Sequence, residues 1–316
     1  MSNPKHMAQA AQQTDDPQLL TETIVAQACG IILGKEQQIR LALACILSKG
    51  HILIEDLPGV GKTTLAHVFA KVLGLEFSRI QFTSDLLPGD ILGVSVYDHQ
   101  KGFQFHPGPI FSQLVLADEV NRATPKAQSA LLEAMEEKQV SLEGQTRPLP
   151  DPFFVIATQN PTHQIGTFPL PESQLDRFLI CIGLGYPDRQ AERALLNGED
   201  RRDMLERIVP CISQEQLIAL QQHVSTIHVS DALLDYVQAL LEYTRCAPEL
   251  ANGLSPRAGL AMLHCAKAWA MMQGRDHAIP EDIQTILPHV VNHRLRSASD
   301  SGSSDLVQKL MDIPIP

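Results

Sequence analysis

Ile52-Leu53-Ile54-Glu55-Asp56-Leu57-Pro58-Gly59-Val60-Gly61-Lys62-Thr63-Thr64 is the stretch on which the reading of this chain turns. Its apolar start reads as a buried strand, which feeds a Pro/Gly turn ending in Gly59-Val60-Gly61-Lys62-Thr63. An apolar helix from Leu65 to Leu73 follows and is closed by Gly74. Strand, glycine-rich loop and helix in that order are what a phosphate-binding loop requires: small residues let backbone N–H groups turn inward, and the helix N-terminus adds positive potential. Lys62 is then placed to reach the β/γ-phosphates, and Thr63 to put its hydroxyl on Mg²⁺. The full pattern opens on glycine, whereas this chain has Asp56. Aspartate tolerates left-handed backbone better than most residues, so the turn is expected to survive.

A chain of 316 residues has room for about two domains. Its 44% hydrophobic and 19% charged residues describe a globular protein with a real core, and a net charge of -11 argues against a protein that coats nucleic acid. Cys29, Cys45, Cys181, Cys211, Cys246 and Cys265 form no Cys-x-x-Cys pair and sit among apolar neighbours, so buried free thiols are expected. The polar, Gln/Ala-rich start lacks a signal pattern and no run reaches membrane-spanning length, which reads as a cytoplasmic protein without membrane insertion.

Two helices, Leu19 to Gly30 and Glu36 to Ser48, precede the first strand. Ser78 to Thr83 reads as a second strand. The insertion from Thr83 to Pro109 contains a period-2 hairpin, Val94–Tyr97 and Gly102–Phe105, open to two readings: a partner contact or a structural flap. Leu114-Val115-Leu116-Ala117 is too short for a helix and reads as a buried parallel strand ending in Asp118-Glu119. Beside a phosphate loop, Asp118 suits the magnesium shell and Glu119 the polarisation of an attacking water. A helix from Pro125 to Lys138, a hairpin over Val140 to Pro148 and a strand from Phe153 to Thr158 come next. Asn160 lies just beyond that strand, either as a turn residue before Pro161 or as a group reaching the same water. Asp176-Arg177 is either a surface ion pair or an arginine presented to a neighbouring subunit's phosphates, and Leu179 to Ile182 reads as the last strand.

After Gly185-Tyr186-Pro187 strand signals vanish and the pattern becomes helix after helix. Ser213-x-x-Gln216 is a capping box, Ser230 a helix cap, and Ser255-Pro256 an N-cap followed by proline at the first helical position. This reads as a separate helical domain. Arg257 sits in the first turn of its helix, an unfavourable place for a cation, which hints at a function. His289 and His293 are expected on the surface, and the tail from Ser297 is expected to be a flexible linker before a short last helix.

Taken together the motifs resemble those of the AAA+ ATPases and, within them, the MoxR family. Glu55–Thr63 looks like the first Walker motif with its non-glycine opening, Ala117–Thr124 like the second, Val155–Pro161 like sensor 1, Leu175–Phe178 like the arginine-finger segment and Leu254–Ala258 like sensor 2. The resemblance covers about Gly30 to Arg296. It implies an α/β fold, an AAA+ P-loop NTPase core with a five-stranded parallel sheet flanked by helices, followed by an all-α lid. The implied boundaries are a disordered segment 1–18, a core 19–187 with insertions near 83–109 and 139–148, a lid 188–296 and a flexible tail 297–316. ATP/ADP and Mg²⁺ are the implied ligands. Pro58, Gly59, Val60, Gly61, Lys62, Thr63 and Thr64 would hold phosphates, Thr63 and Asp118 the metal, and Ile32 and Gly34 the adenine. Glu119 and Asn160 would act on water, Arg177 in trans on a neighbour's γ-phosphate, and Arg257 in cis from the lid. Members form rings, typically hexamers, act as chaperone-like machines on client proteins, and often work with a von Willebrand factor A domain protein. An ATP-driven remodelling machine is therefore the leading expectation. A nucleic-acid motor and a nucleotide-gated scaffold with little turnover are the alternatives, the first opposed by charge and the second by the Asp118-Glu119 pair.

Overall fold

The computed structural model describes residues 16–100, 102–160, 167–198, 201–296 and 303–315. Most of the segment 1–18, Pro161, and 297–302 of the tail lie outside them. The described chain begins with α1 (Pro17–Cys29) and α2 (Glu36–Leu47), then β1 (Ile52–Glu55), α3 (Lys62–Val72) and β2 (Phe77–Gln81). A short helix α4 (Pro88–Leu92) leads into the hairpin of β3 (Gly93–Asp98) and β4 (Gly102–Pro107). After β5 (Leu114–Asp118) and α5 (Pro125–Glu137) comes a second hairpin, β6 (Gln139–Leu142) and β7 (Gln145–Pro148). β8 (Phe154–Gln159), α6 (Glu172–Leu175) and β9 (Ile180–Ile182) complete the α/β part. The helices α7 (Arg189–Asn197), α8 (Arg201–Glu206), α9 (Gln214–Thr226), α10 (Asp231–Cys246), α11 (Pro256–Met272), α12 (Pro280–Val291) and α13 (Ser303–Met311) follow.

The five long-range strands form one parallel sheet in the order β2-β5-β8-β1-β9, as expected. Alternation explains why β5 is a continuous apolar run: Leu114 and Leu116 enter the core on one face of the sheet, Val115 and Ala117 the core on the other. The second face is covered by α5 through Ala127, Leu131, Leu132 and Met135. The first is covered by α1, α2 and α3, and its buried cluster continues into α9 through α12. The helical part packs onto the helices of the sheet's first face, its apolar stripes joining that face's buried cluster.

Other expectations need correction. The first helix starts at Pro17, with the Asp16 carboxylate accepting from the Gln18 N–H at 3.0 Å, inside the segment expected to be disordered. Pro88–Leu92, to which the sequence reading assigns no element, forms α4 because Pro88 pre-sets the first helical φ and the Asp90 carboxylate accepts from the Leu87 N–H at 2.9 Å. The tail is not flexible throughout: in α13, Leu306 and Leu310 stand four apart on one face and are 6% and 1% exposed. Cys45 and Cys265 are buried free thiols, but Cys246 is exposed. His289 and His293 are half-buried against the last strand, with ring nitrogens 3.3 Å from the Cys181 carbonyl oxygen and 3.1 Å from that of Phe178. Among the described residues no helix is long and apolar enough to cross a membrane, and no His/Cys/Asp/Glu group could hold a metal ion by itself.

Candidate functional site

Residues 56–61 leave the C-terminal end of β1 and turn back into α3 with Gly59 at φ 84° and Gly61, the N-cap, at φ 98°. Those left-handed angles are open to glycine at little cost, and they let the loop curl around an anion ahead of the helix N-terminus. Asp56 is not among the positive-φ residues, so its expected role in a left-handed turn is corrected. It acts through its carboxylate instead. Oδ1 accepts from the Leu57 N–H at 2.7 Å, and Oδ2 from the Gly185 N–H at 2.5 Å, which fastens the loop to the segment after β9.

Lys62 is buried, with its ammonium 2.6 Å from the Asp56 carbonyl and 3.1 Å from Asn160 Oδ1. Burial pulls its pKa down, while the charges of Asp56, Asp118 and Glu119 oppose that shift. Asn160 carries the connection onward, donating from Nδ2 to Glu119 Oε1 at 2.9 Å. A continuous Lys62–Asn160–Glu119 relay therefore spans the ends of β1, β8 and β5. All are C-terminal ends of parallel strands, the edge at which ligands sit in such sheets.

Several contributors were not evident from the sequence. Glu119 has left-handed backbone, φ 58° and ψ 47°, pinned where its N–H donates to Thr158 Oγ1 at 2.8 Å. Thr158 in turn donates to Asp118 Oδ1 at 2.6 Å. The other Asp118 oxygen accepts from Arg79 at 2.7 Å, and Gln81 and Arg122 approach Glu119 Oε2 at 3.0 and 3.2 Å. A signal for Arg79 and Gln81 existed: they alternate on one face of β2, whose partner in register is β5. Asn121 donates to the Asn160 carbonyl at 3.1 Å, while its own Oδ1 is buried without a hydrogen-bond partner.

The donor set suits Mg·ATP. Thr63 opens the helix behind the loop, Asp118 adds a carboxylate, and hard oxygen donors completed by phosphate are what magnesium takes. Pro58, Val60 and Thr64 lie on the same loop and first helical turn. The turn holding Ile32 and Gly34 reaches the segment after β9: Lys35 donates to the Tyr186 carbonyl at 2.7 Å, and Gly34 lies against Ala191 and Asp188. Because Asp56 grips Gly185, that turn and the phosphate loop share one support.

Arg177 and Arg257 are brought together elsewhere. Both face Glu136 near the end of α5, Arg257 at 2.6 Å and Arg177 at 3.9 Å. Arg177 lines a cavity of about 180 Å³ with Lys49, Gly50 and His51, which precede β1, whereas the phosphate loop follows it. The expectation that Arg257 reaches its own subunit's nucleotide is therefore corrected. The lid is fused to the sheet's first face, and this places the start of α11 beside α5 at the other end of the strands.

Residues 51–180 match the model of the ATPase family associated with various cellular activities (AAA), and residues 242–310 match the AAA lid domain. The chain is 46% identical to the uncharacterized protein YeaC of Bacillus subtilis over 84% of this chain and 83% of that one. It is 40% identical to chaperone MoxR1 of Mycobacterium tuberculosis, covering 92% and 79%, and 31% identical to protein MoxR of Paracoccus denitrificans, covering 91% and 94%. A crystal structure described as that of a candidate ATPase from Cytophaga hutchinsonii superposes with a TM-score of 0.86 at 34% identity, over 98% of this chain and 99% of that one. With the sheet order, the phosphate loop, the lid and these relatives in agreement, the chain belongs to the MoxR family of AAA+ ATPases.

Proposed function

We propose that this chain binds Mg·ATP at Pro58 to Thr64, hydrolyses it with Glu119 as base, and uses the cycle to remodel or mature client proteins. The observation that carries this reading is the Lys62–Asn160–Glu119 relay, which joins the phosphate-binding lysine to the base through one amide. Glu119 would take a proton from the attacking water, and Asn160 would orient that water and the carboxylate. Lys62 would neutralise charge on the transferred phosphoryl group, and Thr63 and Asp118 would hold the metal. Magnesium held there would supply neutralisation of the phosphate charge.

Arg177 and Arg257, together at the far end of the sheet, are assigned to a neighbouring copy's γ-phosphate. This contact suits a heterologous interface that closes into a ring, with a hexamer as the working stoichiometry. The hairpin β3–β4 displays Tyr97 and Phe103 at 58% and 73% exposure, with ring centroids 5.2 Å apart. It is the surface we assign to partner contact, whether with a client or with a von Willebrand factor A domain protein.

The test is Glu119→Gln. Phosphate release by this variant is expected to fall about 10³-fold or more while binding of a fluorescent ATP analogue stays within about threefold of the parent. Loss of nucleotide binding itself, or retention of turnover, would overturn the assignment.

A further inference from the structure

Arg294, just past the end of α12, is a buried guanidinium: its side chain is 5% exposed, against 29% for Arg177 and 46% for Arg257. An arginine that deep must satisfy all its donors, and this one does. Nε donates to Asp176 Oδ1 at 2.7 Å. Nη1 donates to the carbonyls of Val290 at 2.6 Å and Leu179 at 3.2 Å. Nη2 donates to those of Phe178 at 2.7 Å and Asp176 at 3.2 Å. Four of these acceptors lie on residues 176, 178 and 179, on both sides of Arg177. The remaining Asp176 oxygen accepts from the Ser255 hydroxyl at 2.9 Å, and Ser255 is the N-cap of α11, accepting from the Ala258 N–H at 3.2 Å. One carboxylate thus ties the Arg177 segment to the helix that starts with Pro256 and Arg257.

We propose that Arg294, acting through Asp176, is a positioning residue that holds Arg177 and Arg257 in one fixed arrangement for presentation to the neighbouring copy's nucleotide. This rests on the reading that Arg177 acts in trans. The division of labour follows burial: the enclosed arginine spends its fork on the Asp176 carboxylate and main-chain carbonyls, while the two more exposed ones share the part-exposed carboxylate of Glu136, which a neighbour's phosphates would replace. The Arg294–Asp176 pair loses little to solvent screening, so the segment cannot re-orient without leaving a buried charge unpaired. Because a misplacement of about 1 Å can cost about 10²-fold in rate, such a grip sets turnover without touching substrate. It also makes the lid a rigid extension of the finger segment, so that a lid displacement in one copy moves the arginines offered to the next copy's site.

The test uses mixed full-length chains. Arg294→Met alone is expected to lower kcat about 10²-fold while its affinity for a fluorescent ATP analogue changes less than about threefold, since its own phosphate loop is intact. Mixing it with an excess of Glu119→Gln chain, which lacks the base but keeps both arginines in order, is expected to restore turnover at the Arg294→Met sites. Arg177→Ala mixed in the same way is the control. Recovery with Arg177→Ala but not with Arg294→Met overturns the positioning role and leaves the trans reading standing. Recovery with neither overturns the trans reading itself. Wild-type turnover by Arg294→Met alone, or a tenfold loss of its nucleotide affinity, also overturns the proposal. If Arg294→Met does not fold, Asp176→Asn, which keeps the volume and removes the charge, is put through the same mixing with the same outcomes.

Discussion

At the scale of single residues, legibility depended on whether the chemistry was local. Lys62, Thr63, Asp118 and Glu119 announce themselves because a loop of fixed spacing and an acidic pair at a strand end carry their own context. Asp56 shows the limit: its type was noted, but its carboxylate bonds to Gly185, more than a hundred positions away, which local pattern does not reveal. Arg79 was missed for the same reason, since its partner Asp118 is a neighbour only once β2 and β5 pair. His51 carries a prediction at this scale. Its Nδ1 accepts from the Val155 N–H at 3.0 Å, and burial pushes its pKa down from 6.5 to about 4. The folded ring stays neutral while the unfolded chain's ring protonates, so its contribution is fully present above pH 6.5 and is lost as pH falls toward about 4. The loss is on the order of 3 kcal/mol. His51→Asn, which keeps an acceptor but does not titrate, is expected to flatten the urea-measured stability profile across that window, and an unchanged slope would contradict the assignment.

Elements were readable where period and caps agreed. The five strands, α5, the Ser213 capping box and both hairpins fall close to where apolar runs and turn residues put them. One short helix was obscured, because Pro88–Leu92 carries turn residues that also start a helix. The short last helix expected beyond the Ser/Asp/Gly-rich stretch is α13, but the polarity before it masks how deeply its apolar pair is buried. The buried face of α13 predicts that Leu310→Ala lowers unfolding stability by about 2 kcal/mol or more, the cost of a large-to-small change at a packed site. Lys309→Ala, which breaks an exposed 2.8 Å pair with Glu249, is expected to cost about 1 kcal/mol or less in the same denaturation experiment. Equal effects would mean that the helix does not rely on its apolar face.

For the whole molecule, the sequence supported an α/β core followed by a helical lid, but not how the lid attaches. Apolar stripes on α9 to α12 state that those helices bury something; they do not state that the partner is the sheet's first face and the helices covering it. That attachment decides the functional geometry. It carries Arg257 away from the phosphate loop to the side of Arg177, and leaves the chain with Glu119 at one end of its strands and Arg177 and Arg257 at the other. On the proposed reading an isolated copy would hold two halves of different sites, and turnover would require association. The most direct measurement is phosphate release per chain, at saturating Mg·ATP, as protein concentration is carried through the assembly transition followed in parallel by sedimentation. Specific activity is expected to rise steeply with assembly, approaching the factor of about 10³ or more that an arginine supplied in trans contributes. Equal specific activity for dispersed and assembled chains would contradict the account.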